Sequence, residues 1–199
     1  MFEIAEYIGI VAFAMSGFFV AAKNKLDLLG VLIATFLTAL GGGILRDIAV
    51  DRVPFTFINN YPAMIVITVM LLLIIFKFHK KNSIENKLIF IISDSIGLVS
   101  FSISGAIIAL ENHFNLTGVL AMAFLTAVGG GIARDVIINE VPFVLKTGFY
   151  GTISLLIGFA LYLLQQLDSM NILNITILFV LNLGVRLIAY YKEWSIPLK

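Results

Sequence analysis

Phe36-Leu37-Thr38-Ala39-Leu40-Gly41-Gly42-Gly43-Ile44-Leu45-Arg46-Asp47 is followed 88 residues later by Phe124-Leu125-Thr126-Ala127-Val128-Gly129-Gly130-Gly131-Ile132-Ala133-Arg134-Asp135. The likeness extends outward from this stretch. Ala12 to Phe55 aligns without a gap with Ser100 to Phe143 and is identical at 22 of 44 positions, too many for chance. Ser16-Gly17 returns as Ser104-Gly105, Gly30-Val31-Leu32 as Gly118-Val119-Leu120, and Val53-Pro54-Phe55 as Val141-Pro142-Phe143. Two copies at so long a period do not make a solenoid.

The repeated text is apolar, and so is the chain around it. With 60% hydrophobic and 13% charged residues, a water-soluble fold could not be given a normal solvated surface. Apolar stretches run from about Ile4 to Ala22, Leu28 to Val50, Tyr61 to Phe78, Leu88 to Leu110, Leu116 to Ile138, Gly148 to Leu164 and Ile172 to Tyr191. At roughly 20 residues per span this predicts an all-α polytopic membrane protein of seven transmembrane helices in one membrane domain, residues 1–199. Repeat 1 covers about 4–80, repeat 2 about 88–166, and a seventh helix about 172–191. Each repeat holds three spans, an odd number, so the second enters the membrane from the side opposite to the first. Such inverted repeats are the architecture of transporters and some channels, with the pathway at the repeat interface.

Charge sets the orientation. Lys23, Lys25, Lys77, Lys80, Lys81, Lys87, Lys146, Lys192 and Lys199 fall on one side of this map and Arg52 alone on the other, which predicts an outside N-terminus and a cytoplasmic C-terminus. Glu3 and Glu6 stand where a signal peptide would carry basic residues, so the first span reads as retained. The formal net charge of +1 implies no nucleic-acid partner. The chain has no cysteine, which excludes thiolate chemistry. An enzyme reading has little support: His79 and His113 lie in loops without a second His at ligand spacing, and no Lys-Ser/Thr follows the glycines to make a phosphate loop.

Three consecutive glycines weaken a helix by up to about 1 kcal/mol each, so Gly41, Gly42 and Gly43, and Gly129, Gly130 and Gly131, predict a kink or unwinding in spans 2 and 5. Broken helices are tolerated in a membrane where they line a wet path, and their free carbonyls could replace part of a cation's hydration shell. Close helix packing through small residues is the alternative. Thr35, Thr38 and Thr126 precede the breaks, where their hydroxyls line a hydrated path or bond back to the i−4 carbonyl. Arg46-Asp47 and Arg134-Asp135 lie inside the apolar stretch and must be paired or wet. Helix neighbours point about 100° apart, so each Arg and Asp is expected to find other partners, with a structural clamp favoured over direct ion binding. Glu6 and Asp94 are also equivalent positions in the repeats and suit acids at a pathway entrance that attract cations; for Asp94 a helix-capping role is the alternative. Arg186, near the interfacial Tyr190, Tyr191 and Trp194, reads as a snorkelling or structural residue near the cytoplasmic boundary. The stripe Ser93, Gly97, Ser100, Ser104 reads as a packing face, and spans 1 and 4 are therefore candidate subunit contacts.

The paired Gly-Gly-Gly-x-x-Arg-Asp motifs, each preceded by a Thr-containing apolar helix and followed by Val-Pro-Phe, resemble those of the prokaryotic trimeric intracellular cation (TRIC) channels over nearly the whole chain. The resemblance implies a homotrimer in the inner membrane of a prokaryote. It also implies a K⁺-permeable monovalent cation pore in each protomer, formed largely by spans 2 and 5, with the two glycine triplets as its kinks. No cofactor is implied; permeant monovalent cations and bound membrane lipid are the ligands it allows. The Lys-Glu-Val lipid-binding motif of the animal channels is absent. Proteins of this group have also been labelled glycine transporters, and a carrier of a small zwitterion is the second expectation.

Overall fold

The computed structural model describes residues 2–78, 83–146 and 149–194, and among these the secondary structure is helical throughout. In chain order the helices are α1 (Phe2–Lys23), α2 (Leu28–Ala49), α3 (Phe55–Ile58), α4 (Tyr61–Ile75), α5 (Ser83–Glu111), α6 (Leu116–Ile137), α7 (Phe143–Lys146), α8 (Tyr150–Gln166) and α9 (Ile172–Tyr191). By length and composition α1, α2, α5, α6 and α9 are long and apolar enough to cross a membrane. The apolar helices α4 and α8 are shorter. At 1.5 Å per residue, the 15 residues of α4 reach only about 22 Å. The third predicted stretch, Tyr61 to Phe78, thus ends as a helix at Ile75.

The sequence repeat is a repeat of local structure. Each of α2 and α6 starts on a side-chain cap: Asp27 accepts from the Gly30 amide at 2.7 Å, and Asn115 from the Gly118 amide at 2.9 Å. Each ends three to four residues before a Val-Pro-Phe, with Asp51 and Asn139 in the left-handed region at φ 54° and 59°. Pro54 and Pro142 then open the short helices α3 and α7, which the sequence reading did not anticipate.

The core is an α1–α5 pair wrapped by the other helices. Its contacts join Glu6 to Ser104, Gly9 to Phe101, Phe13 to Gly97 and Ser16 to Asp94. One number rises as the other falls, so these two equivalent helices run antiparallel. The contacts are also reciprocal. Gly9 meets Phe101 as Gly97 meets Phe13, and the rings of Phe13 and Phe101, which are equivalent residues, lie 5.2 Å apart on the local two-fold axis. Gly97 is required here, because any Cβ would occupy the space of the Phe13 ring.

The stripe Ser93, Gly97, Ser100, Ser104 is a packing face, and it packs inside the protomer, where Ile10, Phe13, Ala14, Phe18, Leu98 and Phe101 are buried with it. Helix α9 lies outermost, with Ile175, Arg186 and Ala189 its only buried residues.

Candidate functional site: two buried charge clusters about a glycine crossing

The glycine triplets place α2 against α6. Both helices stay hydrogen-bonded through the glycines, from Leu28 to Ala49 and from Leu116 to Ile137, so the expected unwinding is absent from this conformation. In lipid an unpaired peptide group costs more than the lost helix propensity of glycine, and the helix is kept. What the glycines provide is closeness. A Cβ on Gly42 would run into the Thr126 carbonyl, and one on Gly130 would lie 2.6 Å from the Thr38 carbonyl oxygen. One on Gly41 would lie 3.1 Å from the Gly130 Cα. The crossing obeys the same local two-fold symmetry as the α1–α5 pair. Thr35, Thr38 and Thr126 are buried, and each donates to the carbonyl four residues earlier at 2.6 to 2.7 Å.

One turn beyond the crossing in each helix stands the Arg-Asp pair. In the first cluster, the Arg46 Nη1 donates to Glu6 Oε2 and to Ser104 Oγ, each at 2.5 Å, and Ser104 Oγ donates to Glu6 Oε2 at 2.6 Å. Arg46 Nε donates to Asp47 Oδ1 at 2.9 Å, and Asp47 Oδ2 accepts the Phe55 amide at 2.8 Å. Glu6, Arg46 and Asp47 are all buried. At the rim, Arg52 reaches to 3.7 Å from Asp47, and the Phe2 ring lies under the Arg46 guanidinium at 4.8 Å.

The second cluster repeats the frame. Arg134 Nε donates to Asp135 Oδ1 at 2.8 Å, Asp135 Oδ2 accepts the Phe143 amide at 2.8 Å, and Ser16 Oγ donates to Asp94 Oδ1 at 3.1 Å. It departs from the frame at the acid. Arg134 Nη1 turns to Thr38 Oγ1, a long bond of 3.4 Å, and makes no ion pair with Asp94.

Three expectations are corrected here. Each Arg does bond its neighbouring Asp, because the long guanidinium arm folds back over the third glycine of its triplet; a Cβ on Gly43 would sit 3.6 Å from Arg46 Nη2. Asp94 caps nothing, since α5 begins at Ser83, about three turns earlier. Glu6 and Asp94 are buried side chains bonded across the repeats rather than open acids at a mouth.

Comparisons with known proteins place this geometry. A family model described as "Glycine transporter" matches residues 3–79 and 91–166. The membrane protein YvgT of Bacillus subtilis is 34% identical over 98% of this chain and 95% of its own, and the inner membrane protein YadS of Escherichia coli K12 is 31% identical over 77% and 73%. A structure solved in a study of conductance through TRIC cation channels matches at TM-score 0.86 and 34% identity, covering 100% of this chain and 97% of the other. A prokaryotic TRIC channel crystallised in 0.5 M KCl matches at TM-score 0.89 and 28% identity, over 98% of both chains. A TRIC trimeric intracellular cation channel orthologue from Rhodobacter sphaeroides gives 0.88 and 25%, over 97% and 98%.

The chain belongs to the prokaryotic TRIC channel family. It is a multi-pass membrane protein of a channel family and not an enzyme. One buried charged residue of this TRIC chain lies outside the repeat frame, and the sequence leaves a snorkelling and a structural role open for it. Arg186 does not snorkel: it is 1% exposed, with its Cζ 4.7 Å from the centroid of the Tyr150 ring. Its only sequence signal was the absence of a second basic residue within the apolar part of α9, which says that it is special but not where it goes. His79 lies outside the described residues; His113 stands in the left-handed turn after α5, away from both clusters.

Proposed function

We propose that this protein is a passive, K⁺-permeable monovalent cation channel. It would work as a homotrimer in the inner membrane of a prokaryote, each protomer carrying its own path between α2 and α6. The observation that carries the reading is full-length likeness, at 34% identity and TM-score 0.86, to a chain solved in a study of TRIC cation conductance. The fold supports it in physical terms. Equivalent helices that run antiparallel are what two inverted three-span repeats require, and the lysine asymmetry then puts the N-terminus outside and the C-terminus in the cytoplasm. Such a layout has seven spans, with α4 and α8 counted among them and their short length met by local thinning of the bilayer.

In this reading α2 and α6 are gate as well as wall. With backbones in contact at Gly41, Gly42 and Gly130, the crossing is tight, and small residues are what let two helices slide or part without leaving side chains in the way. Opening would bring the hydroxyls of Thr35, Thr38 and Thr126 and the nearby carbonyls to a water-filled gap, where weak oxygen ligands suit a cation that must also leave. The Arg-Asp pairs act as clamps: each ties its helix end to the amide after Val-Pro, so that α2 and α3, or α6 and α7, move together. Lipid at the outer faces and other copies of the chain are the partners this calls for.

The description of the matching family model favours a second reading, a carrier of glycine or a similar zwitterion. Purified protein in liposomes separates the two. A channel gives voltage-driven K⁺ flux that does not saturate at low concentration and is indifferent to glycine. Saturable uptake of labelled glycine without K⁺ flux would replace the channel with a carrier.

A further inference from the structure

The second charge cluster holds a buried cation supplied from outside the repeats, where the first has the exposed Arg52 at its rim, a position taken by Glu140 in the second repeat. Arg186 enters from α9, outside both repeats, and lies buried on the Tyr150 ring, with Tyr190 a further aromatic at 5.9 Å. Among the described residues its Nε and Nη1 have no hydrogen-bond partner and no carboxylate lies within salt-bridge distance of it. Asp94 is the carboxylate with which it couples electrostatically, with the Tyr150 ring that carries Arg186 beside both. Asp94 is equally incomplete: Ser16 holds Oδ1, while Oδ2 has no partner of hydrogen-bond geometry.

The repeat supplies the control. Glu6, the equivalent acid, is gripped directly by Arg46 and Ser104. Arg134, the equivalent of Arg46, leaves Asp94 and bonds Asp135 and Thr38. Buried charges with unpaired atoms are expensive, and a pair of opposite charges held apart is retained where water or an ion completes it. The neighbouring Ser95 and Ser100 hydroxyls on the same helix likewise have no partner. Without Arg186, Asp94, Arg134 and Asp135 carry the same formal balance as Glu6, Arg46 and Asp47, one negative charge in excess. Arg186, buried, brings the second cluster to neutrality, as Arg52 does for the first from its exposed rim.

We infer that Arg186 is a tethered counter-charge to Asp94. Held on the Tyr150 ring at a short remove, it weakens the attraction of that carboxylate for a passing cation and so sets both the cation preference and the rate of passage at the second cluster. The inference rests on the cation-channel reading.

Reversal potentials in a KCl gradient, recorded on the purified protein in planar bilayers, test it through the K⁺/Cl⁻ permeability ratio. R186Q, which keeps donors but not charge, is expected to raise that ratio and the K⁺ conductance by about tenfold, equivalent to about 1.4 kcal/mol. D94N, which strands Arg186, is expected to lower the ratio by a similar factor, and D94N/R186Q to reverse that fall. An R186Q protein that loses thermal stability with an unchanged ratio would make Arg186 merely structural and overturn the inference. Should R186Q fail to assemble, D94N and D94N/R186Q decide: equal ratios overturn it. Absence of K⁺ current in the wild type would instead remove the cation-channel reading before any variant is compared.

Discussion

Asp47 and Asp135 each join a guanidinium to a backbone amide that follows a proline, with the same pair of bonds at the same lengths to within 0.1 Å. Charge-assisted bonds of this kind contribute about 1.5–3 kcal/mol each when buried. Replacing Asp47 or Asp135 by Ala is expected to lower the thermal midpoint of the detergent-solubilised protein measurably, and by similar amounts at the two positions. Glu6 is held more tightly still. E6A leaves Arg46 buried without its strongest partner, a loss of about 3–5 kcal/mol. The double variant E6A/R46M removes the stranded charge and is expected to regain part of that loss in the same melting assay. At this scale the sequence was half legible. The doubling of Arg-Asp marked the right residues, and Glu6 and Asp94 followed from the same offset. Their partners did not follow, because side-chain direction at Cβ says little about where the end of an arginine comes to rest once a glycine one turn earlier makes room for it.

Between elements, the glycines of one triplet do different work. A methyl group on Gly130 would meet the Thr38 and Leu37 carbonyls at 2.6 and 2.7 Å, whereas one on Gly131 would find nothing nearer than Arg134 Nη2 at 3.9 Å. G130A is therefore expected to push α6 away from α2 and destabilise the protein by about 1–3 kcal/mol. G131A is expected to be neutral or to stabilise by up to about 1 kcal/mol through helix propensity. Unfolding of both variants in detergent checks the contrast; equal effects would mean that the triplet acts through backbone flexibility rather than contact. Runs of glycine read as helix breaks in a sequence because propensity is the only local information there, and the packing that keeps α2 and α6 intact comes from a partner 88 residues away. The same limit hid the start of α5 and hence the true place of Asp94: its first turns precede the apolar stretch from Leu88.

Over the whole molecule, the antiparallel pairing of α1 with α5 is the structural form of the sequence repeat. It followed from the 88-residue repeat by reading each copy as three spans, an odd number. Arg186 was not legible, since α9 has no copy to be compared with and its tyrosines suggested an interface. The exposed apolar residues of α9, among them Leu173, Ile177, Val180 and Leu181, leave a face for lipid or for another copy of the chain. Cross-linking in native membranes is expected to give a trimer band as its largest specific product, and a ladder ending at the dimer would contradict the proposed assembly.

The measurement that bears most directly on the proposed path uses the absence of cysteine in the chain. The ideal Cβ of residue 129 lies 2.8 Å from Leu45 Cδ1, so the pair L45C/G129C puts two thiols on facing positions of the α2–α6 crossing. The readout is K⁺ current through the double variant in planar bilayers, before oxidation, after oxidation with the cross-link verified by mass spectrometry, and after reduction. If cations pass where α2 and α6 part, the current falls on oxidation and returns on reduction, while either single variant is unaffected. A verified cross-link that leaves the current unchanged would place the path elsewhere in the protein.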